Sequence, residues 1–350
     1  MSGYDFDAPV DRAGTWSSRW ERHAGEDVIP LWVADTDFRA PPEVLRALAA
    51  RIEHGVLGYT VPPPALLEAI VERQLRRYGW QIRPEWIVML PGVVPGLHLA
   101  ARSLTRAHEH ILSPRPVYHH LTRAPELAPR AWTDVPLVLD RGRWVLDLDA
   151  LRRARTPQTR MLFLCNPQNP GGTVFRRDEL AAIAEASGDA IIVSDEIHCD
   201  LILEAGLRHV PIASVAPEVG KRTVTLLSPN KAFNFPGAGC AWAVIEDPAL
   251  RRDFSVDVAG HALPGPTTFG YIAALAAYRD CEAWLAAQVS YLRGNRDLVE
   301  RTLATLPGLS LARIEATYLA WIDCTALDVR PVTFAETRAE RLRYGFNLFG

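Results

Sequence analysis

Apolar residues at helical spacing alternate along the chain with short unbroken apolar runs, which predicts helices interleaved with buried strands. Behind Pro41-Pro42, the positions Val44, Leu45, Leu48 and Ile52 share one helical face, and Gly55 marks the end. A second helix is predicted from about Ala65 to Arg77. Trp86 to Leu90 reads as a strand, followed by Pro91-Gly92-Val93-Val94-Pro95-Gly96 and a helical run from Leu97 to Leu104. Next come a strand near His110 to Leu112, a loop through Tyr118 and a helix around Leu121. Further strands are expected at Met161 to Cys165, Ala190 to Val193, Thr223 to Leu227 and Cys240 to Ile245, the last apolar enough for burial on both faces. Arg177 to Ala186 supplies a crossover helix. After Phe269 the pattern becomes one long helical stretch, about Gly270 to Leu306, and then short strands between Leu309 and Asp323. This order predicts an α/β fold with a largely parallel sheet and right-handed crossovers, followed by a smaller α+β domain. Residues 1–40, punctuated by Pro and Trp, read as an arm contributing to the small domain. Residues 41–270 form the large domain and 271–350 the small one.

Composition narrows the partners. With 350 residues, 48% of them apolar and 23% charged, the chain can bury a large core. A net charge of -3 gives no electrostatic reason to expect nucleic acid or a membrane, so a small molecule is the expected partner. No apolar run approaches the roughly 18 residues of a membrane span, and Met1 to Asp11 carries acidic residues where a signal peptide would be basic and apolar, so a cytoplasmic location is expected. Cys165, Cys199, Cys240, Cys281 and Cys324 are far apart and form no C-x-x-C pair, which argues against disulfides and zinc. His198-Cys199-Asp200 and His119-His120 lack metal-ligand spacing, and no metal is expected.

Among 38 basic residues only Lys221 and Lys231 are lysines. Arginine stays protonated, whereas a lysine amine can lose its proton and condense with an aldehyde. Lys231 follows Ser228-Pro229-Asn230 where the strand Thr223 to Leu227 would end. Two other strands end in polar groups the same way, in Asn166-Pro167-Gln168-Asn169-Pro170-Gly171-Gly172 and in Ser194-Asp195-Glu196-Ile197-His198. Open α/β sheets bind ligands beyond the carboxyl ends of their strands, so Asn169, Asp195 and Lys231 are expected to converge. The turn at Pro91 to Gly96 between a strand and a helix suits a phosphate, through free amides and the helix dipole. A nicotinamide fingerprint is absent, since Gly237-Ala238-Gly239-Cys240-Ala241-Trp242 lacks the third glycine and runs into a strand; a P-loop and a G-x-S-x-G elbow are also missing. Pyridoxal phosphate fits better, because it needs a lysine, a carboxylate beside the pyridine nitrogen and a phosphate seat.

These residues resemble the fold-type I pyridoxal-phosphate enzymes, in the cystathionine β-lyase-like, carbon–sulfur lyase branch of the class I/II aminotransferases. The resemblance runs from about Tyr4 to about Leu327. Its motifs include Asp5-Phe6-Asp7, Pro30 to Asp35, Gly58-Tyr59-Thr60, Pro91 to Pro95, Pro116-Val117-Tyr118, Asn166 to Pro170, Ser194 to His198 and Ser228 to Asn234. It implies a mostly parallel seven-stranded sheet flanked by helices. It also implies that Lys231 condenses with the cofactor aldehyde and later carries the proton at Cα, that Asp195 pairs with the pyridinium nitrogen, and that Tyr118 stacks on the ring. Asn169 would bond the phenolic oxygen with His198 beside it. The phosphate would take Ser228, the amides of Val93 and Val94, and Tyr59 from a second subunit, so a homodimer is implied. Taken singly, each has an ordinary alternative: Tyr118 a core aromatic, Asn169 a turn residue, Asp195 a helix cap, Ser228 a turn hydroxyl.

The implied reaction is β-elimination from a cysteine thioether such as cystathionine, releasing a thiol, pyruvate and ammonia. Transamination is the alternative, and a cofactor-binding regulatory protein with little turnover the second. His198, where related aminotransferases usually carry tyrosine, and Gly239, where many carry an arginine, both resemble the lyase branch. Family members usually continue past a segment like Trp321-Ile322-Asp323-Cys324 to an arginine that clamps the substrate carboxylate. Glu340-Arg341-Leu342-Arg343-Tyr344 does not match that motif, and altered amino-acid specificity is expected.

Overall fold

The computed structural model describes residues 3–259, 263–327 and 345–347. Its main sheet contains β1 (Ile87–Leu90), β2 (His110–Arg115), β3 (Ala131–Asp140), β4 (Arg143–Leu146), β5 (Thr159–Cys165), β6 (Ile191–Asp195), β7 (Thr223–Leu227) and β8 (Ala241–Val244), in the order β1-β8-β7-β6-β5-β2-β3-β4. The neighbours from β3 through β2, β5 and β6 to β7 are parallel, while β8 runs antiparallel between β7 and β1. The mostly parallel sheet agrees with the sequence. Burial on both faces explains why β5, β6, β7 and β8 read as unbroken apolar runs rather than alternating ones.

The sheet has eight strands, not seven. The sequence pattern marked neither β3 nor β4, and β4 folds back on β3 as a hairpin through Arg141 and Gly142, both at positive φ (49° and 78°). That turn geometry matches the twist of an antiparallel pair. Inward-facing Val135, Leu137 and Leu146 give the hairpin its buried face.

Most helices fall where the periodicity puts them, including Pro42–His54, closed by Gly55 in the left-handed region, Pro64–Tyr78 and Arg177–Ala186. The helix after β1 starts earlier than expected, at Val93, because Pro95 lies in its first turn, where no amide hydrogen is owed to the helix. The stretch expected as one helix from Gly270 to Leu306 is two, Thr268–Asp280 and Glu282–Leu303. Cys281, at φ -110° and ψ 19°, leaves the helical conformation between them without glycine or proline to signal it. A second, antiparallel sheet orders β9 (Ser310–Leu311), β10 (Leu319–Asp323) and β11 (Gly345–Asn347) with β10 in the centre. The segment Glu340 to Tyr344 lies outside the described residues.

Candidate active site

Strand register assembles the site. Cys165 on β5 lies opposite Asp195 on β6, and Asp195 opposite Leu226 on β7. The turns leaving these strands therefore emerge together at the carboxyl edge, where open α/β sheets place their ligands. Pro229 cannot prolong the β7 ladder, and Lys231 follows in the turn. Its Nζ donates to the carbonyl of Ala34, 2.6 Å away in the N-terminal arm. Burial draws the pKa of this amine down, and the charges of Asp35 and Asp195 push partly back. The net direction favours the neutral, nucleophilic form.

Asp195 is buried, and this desolvation raises its pKa to about 6 against a hydrogen bond from the Ile197 amide (3.1 Å) and the charge of Lys231. A carboxyl destabilised in this way is prepared for a cation. His198, also buried, has no hydrogen-bond partner at either ring nitrogen. Burial, with Lys231 nearby, lowers its pKa to about 3, and its ring meets the edge of Tyr318 at a centroid distance of 5.8 Å. Buried polar atoms are normally paired, so an imidazole with two open nitrogens marks a place where a ligand belongs.

Tyr118 and Asn169 are brought together by their backbones, the Tyr118 amide donating to the Asn169 carbonyl at 3.0 Å. Gln168 braces the junction, its Nε2 donating to Pro116 O (2.8 Å) and Asn169 O (3.1 Å). Burial, then the Asp195 charge, pushes the Tyr118 hydroxyl up to about 12. Val93 and Val94 open a helix whose N-cap, Gly92, makes no side-chain cap, leaving the first amides free for an anion. Gly96 in the next turn is needed for packing: a Cβ there would stand 2.9 Å from Leu90 Cδ1. Ser228 faces inward, its Oγ donating to Cys240 O (2.6 Å) and accepting from the Asn230 amide (3.1 Å). Within one chain Tyr59 is not brought to the group: its side chain is fully exposed, on a stretch with exposed Val56, Leu57 and Val61.

Sequence reasoning assigned no role to several residues that build the site. Asp35 and Asp37 form an ion cluster with Arg12 and Arg19; Arg12 reaches one oxygen of each at 2.8 Å, and Arg19 bonds Asp37 closely. Asn234, at φ 51°, clamps the same arm by accepting from the Thr36 amide (3.1 Å) and donating to Thr36 O (3.0 Å) and Phe38 O (2.6 Å). Tyr318 donates to Ala34 O (3.0 Å), the carbonyl that also holds Lys231. Glu315 anchors the chain just before it: the carboxylate accepts from Arg143 Nε (3.0 Å), Arg176 Nη1 (3.0 Å), Arg176 Nη2 (2.6 Å) and the Val174 amide (2.9 Å). The amides of Glu315 and Ala316 donate to Gly172 O, which ties this segment to the loop after β5. None of these contacts, 139 or more residues apart for Glu315, has a local sequence signal.

The profile of the family described as Aminotransferase class I and II matches residues 26–343. Cystathionine beta-lyase PatB of Bacillus subtilis (strain 168) is 34% identical over 331 residues, 92% of this chain and 85% of that protein. The solved structure of OvoB is 45% identical with a TM-score of 0.90, covering 93% of this chain and 86% of its own. Cystalysin from Treponema denticola, solved with a pyridoxal 5'-phosphate cofactor, is 31% identical with a TM-score of 0.86, covering 91% and 84%.

Proposed function

The chain belongs to the class I and II aminotransferase family, and from that premise we propose that it is a pyridoxal-phosphate-dependent carbon–sulfur β-lyase acting on a cysteine thioether such as cystathionine. The observation that carries the cofactor is the pairing of a desolvated amine, Lys231, with a desolvated carboxyl, Asp195, beside a buried His198 that has two unpaired nitrogens. Lysine, carboxylate and open helix amides are what an aldehyde, a pyridinium and a phosphate require, so the residues fit the group. When bound, the cofactor supplies an electron sink that lets the Cα proton of an amino acid leave and its Cβ–sulfur bond break.

The rest is the work of this chain's residues. Lys231 would hold the cofactor through its aldehyde and would take up the Cα proton of the substrate; its lowered pKa suits both tasks. Asp195 would keep a proton on the ring nitrogen, an interaction that its burial would strengthen. Tyr118 would cover the ring, Asn169 and His198 would bond the phenolic oxygen, and Val93, Val94 and Ser228 would take the phosphate. Tyr59 is exposed because it serves a neighbouring subunit, which makes the working form a homodimer. The relatives named as lyases favour elimination over transamination. The N-terminal arm (residues 1–40), a large domain (41–270) and a small domain (271–350) are the proposed division. No described helix is long and apolar enough to cross a membrane.

The test joins two measurements. Borohydride reduction of the cofactor-loaded protein is expected to leave a phosphopyridoxyl group on Lys231 and none on Lys221. Incubation with cystathionine is expected to release pyruvate without any added keto acid. Labelling elsewhere would overturn the cofactor assignment. Cofactor turnover that needs a keto acid would replace the lyase with the aminotransferase, and labelling without any turnover would leave a binding protein.

A further inference from the structure

We propose that Tyr318 is a positioning residue for the amine of Lys231, acting through the carbonyl of Ala34, which accepts a hydrogen bond from both side chains. The proposal rests on Lys231 as the reactive amine of the proposed function. The Tyr318 hydroxyl donates to Ala34 O at 3.0 Å, and Lys231 Nζ donates to the same oxygen at 2.6 Å. A carbonyl oxygen offers two lone pairs. With one of them taken by the hydroxyl of a buried phenol, the amine is restricted to the other. The oxygen can only accept, so it engages an N–H of the amine and leaves the nitrogen lone pair free for an electrophile.

The backbone on both sides holds this arrangement in place. Thr317, immediately before Tyr318, is at φ 72°, a left-handed conformation that a β-branched residue rarely adopts. Such a conformation persists only where its surroundings over-determine it, and it clusters at functional sites. Here the Thr317 amide donates to Leu201 O (2.9 Å), its Oγ1 accepts from the Leu319 amide (3.2 Å), and Ala316 forms an antiparallel bridge with Ile202. Leu201 and Ile202 follow His198, whose ring meets Tyr318 edge to face. The arm that carries Ala34 is fixed as firmly. Arg19 Nη1 donates to Asp35 O (2.8 Å), and Asn234, three residues beyond Lys231 in the chain, accepts from the Thr36 amide (3.1 Å).

The shared oxygen also acts on the charge of the amine. Both donors point hydrogens at one atom, so their positive ends oppose each other across it. An ammonium loses more by this than a neutral amine, and the hydroxyl of Tyr318 therefore favours the neutral form of Lys231. The charged and titratable groups facing the pair are Asp35 and Arg19 from the arm, Asp195 at the end of β6 and His198 beyond it. Asp35 and Asp195 favour the ammonium, and burial opposes them. Burial, then the charge of Asp35, raises the Tyr318 pKa against the charge of Arg19, so the hydroxyl keeps its hydrogen and remains a donor.

The test uses Tyr318→Phe, which keeps the ring against His198 and removes only the hydroxyl, in the full-length chain with its two lysines, Lys221 and Lys231. Reductive methylation of the cofactor-free protein by formaldehyde and cyanoborohydride is followed at each lysine by peptide mass spectrometry over a pH series. Methylation of Lys231 at neutral pH is expected to slow by about threefold or more in the variant, and its pH midpoint to rise, while Lys221 is unchanged. In the cofactor-loaded enzyme, kcat for pyruvate release is expected to fall with KM unchanged. An identical or faster Lys231 profile in the variant, or equal changes at both lysines, would overturn the proposal. Borohydride labelling of Lys231 by the cofactor in the same two proteins would then show that the proposed function survives. If the cofactor labels Lys231 in neither protein, function and proposal fall together.

Discussion

Replacing Glu315 with glutamine tests how the segment before Tyr318 is held against the loop that follows β5. Glutamine keeps the shape but turns one acceptor into an amide donor facing guanidinium groups, so at least one charge-assisted hydrogen bond is lost and another weakened. Such bonds contribute about 1.5 to 3 kcal/mol each. The side chains of Arg176 and Arg143 are 35% and 19% exposed, so water recovers part of the loss. A net cost of about 3 kcal/mol follows. At roughly 2.1 cal/mol/K per residue the unfolding entropy is about 0.7 kcal/mol/K, which gives a fall in Tm of about 4 °C. The pH dependence has a definite sign. Burial works to raise the Glu315 pKa, but hydrogen bonds from Arg176 and Val174 and the charges of Arg143 and Arg176 prevail and lower it. Its contribution is therefore complete above the unfolded carboxyl value of about 4.3 and is lost as pH falls through the folded one. Thermal unfolding at one fixed scan rate, at neutral pH and in steps below about pH 4.5, measures this. A variant that matches the parent at neutral pH, or a gap that persists undiminished into acid, would refute the reasoning.

Further outcomes follow from the site. Because the Asp195 pKa is raised to about 6 by burial, its ionisation destabilises the cofactor-free fold as pH rises from about 4 to about 6. Asp195→Asn should then gain on the parent in cofactor-free unfolding midpoint over that interval, while equilibrium dialysis shows cofactor binding weakened by about tenfold or more; a constant midpoint difference would contradict the shift. Lys231→Ala should abolish pyruvate release yet leave the far-ultraviolet circular dichroism unchanged, and retained turnover would remove the amine from the mechanism. Mixing Tyr59→Ala with Lys231→Ala protein should restore activity neither has alone, since each mixed dimer would contain one intact site; no recovery after subunit exchange would mean that Tyr59 does not serve a neighbour.

The sequence was most legible where the chain repeats one structural rule. Thr223 to Leu227 and Arg177 to Ala186 have the boundaries read from their periodicity, because one is an unbroken buried run and the other an amphipathic helix between loops. Strand ends were legible too, and with them the grouping of Asp195 and Lys231. The β3–β4 hairpin was not, since Ala131 to Asp140 is solvent-exposed at most positions and its few inward residues do not stand out. Cys281 hid a helix break that no glycine or proline marks. The arm showed its motif but not its reach: only folding reveals that Ala34 presents one carbonyl to both Lys231 and Tyr318.

Scarcity of lysine has a practical consequence. A protease that cuts only after this residue has two bonds to find in the whole chain. One follows Lys221, which is exposed just beyond a short helix, and the other joins Lys231 to the buried Ala232. Cleavage at the first depends on local fraying, whereas cleavage at the second requires the turn after β7 to come out of the interior. The ratio of the two digestion rates is therefore a built-in gauge of how often that turn opens, and it needs no label.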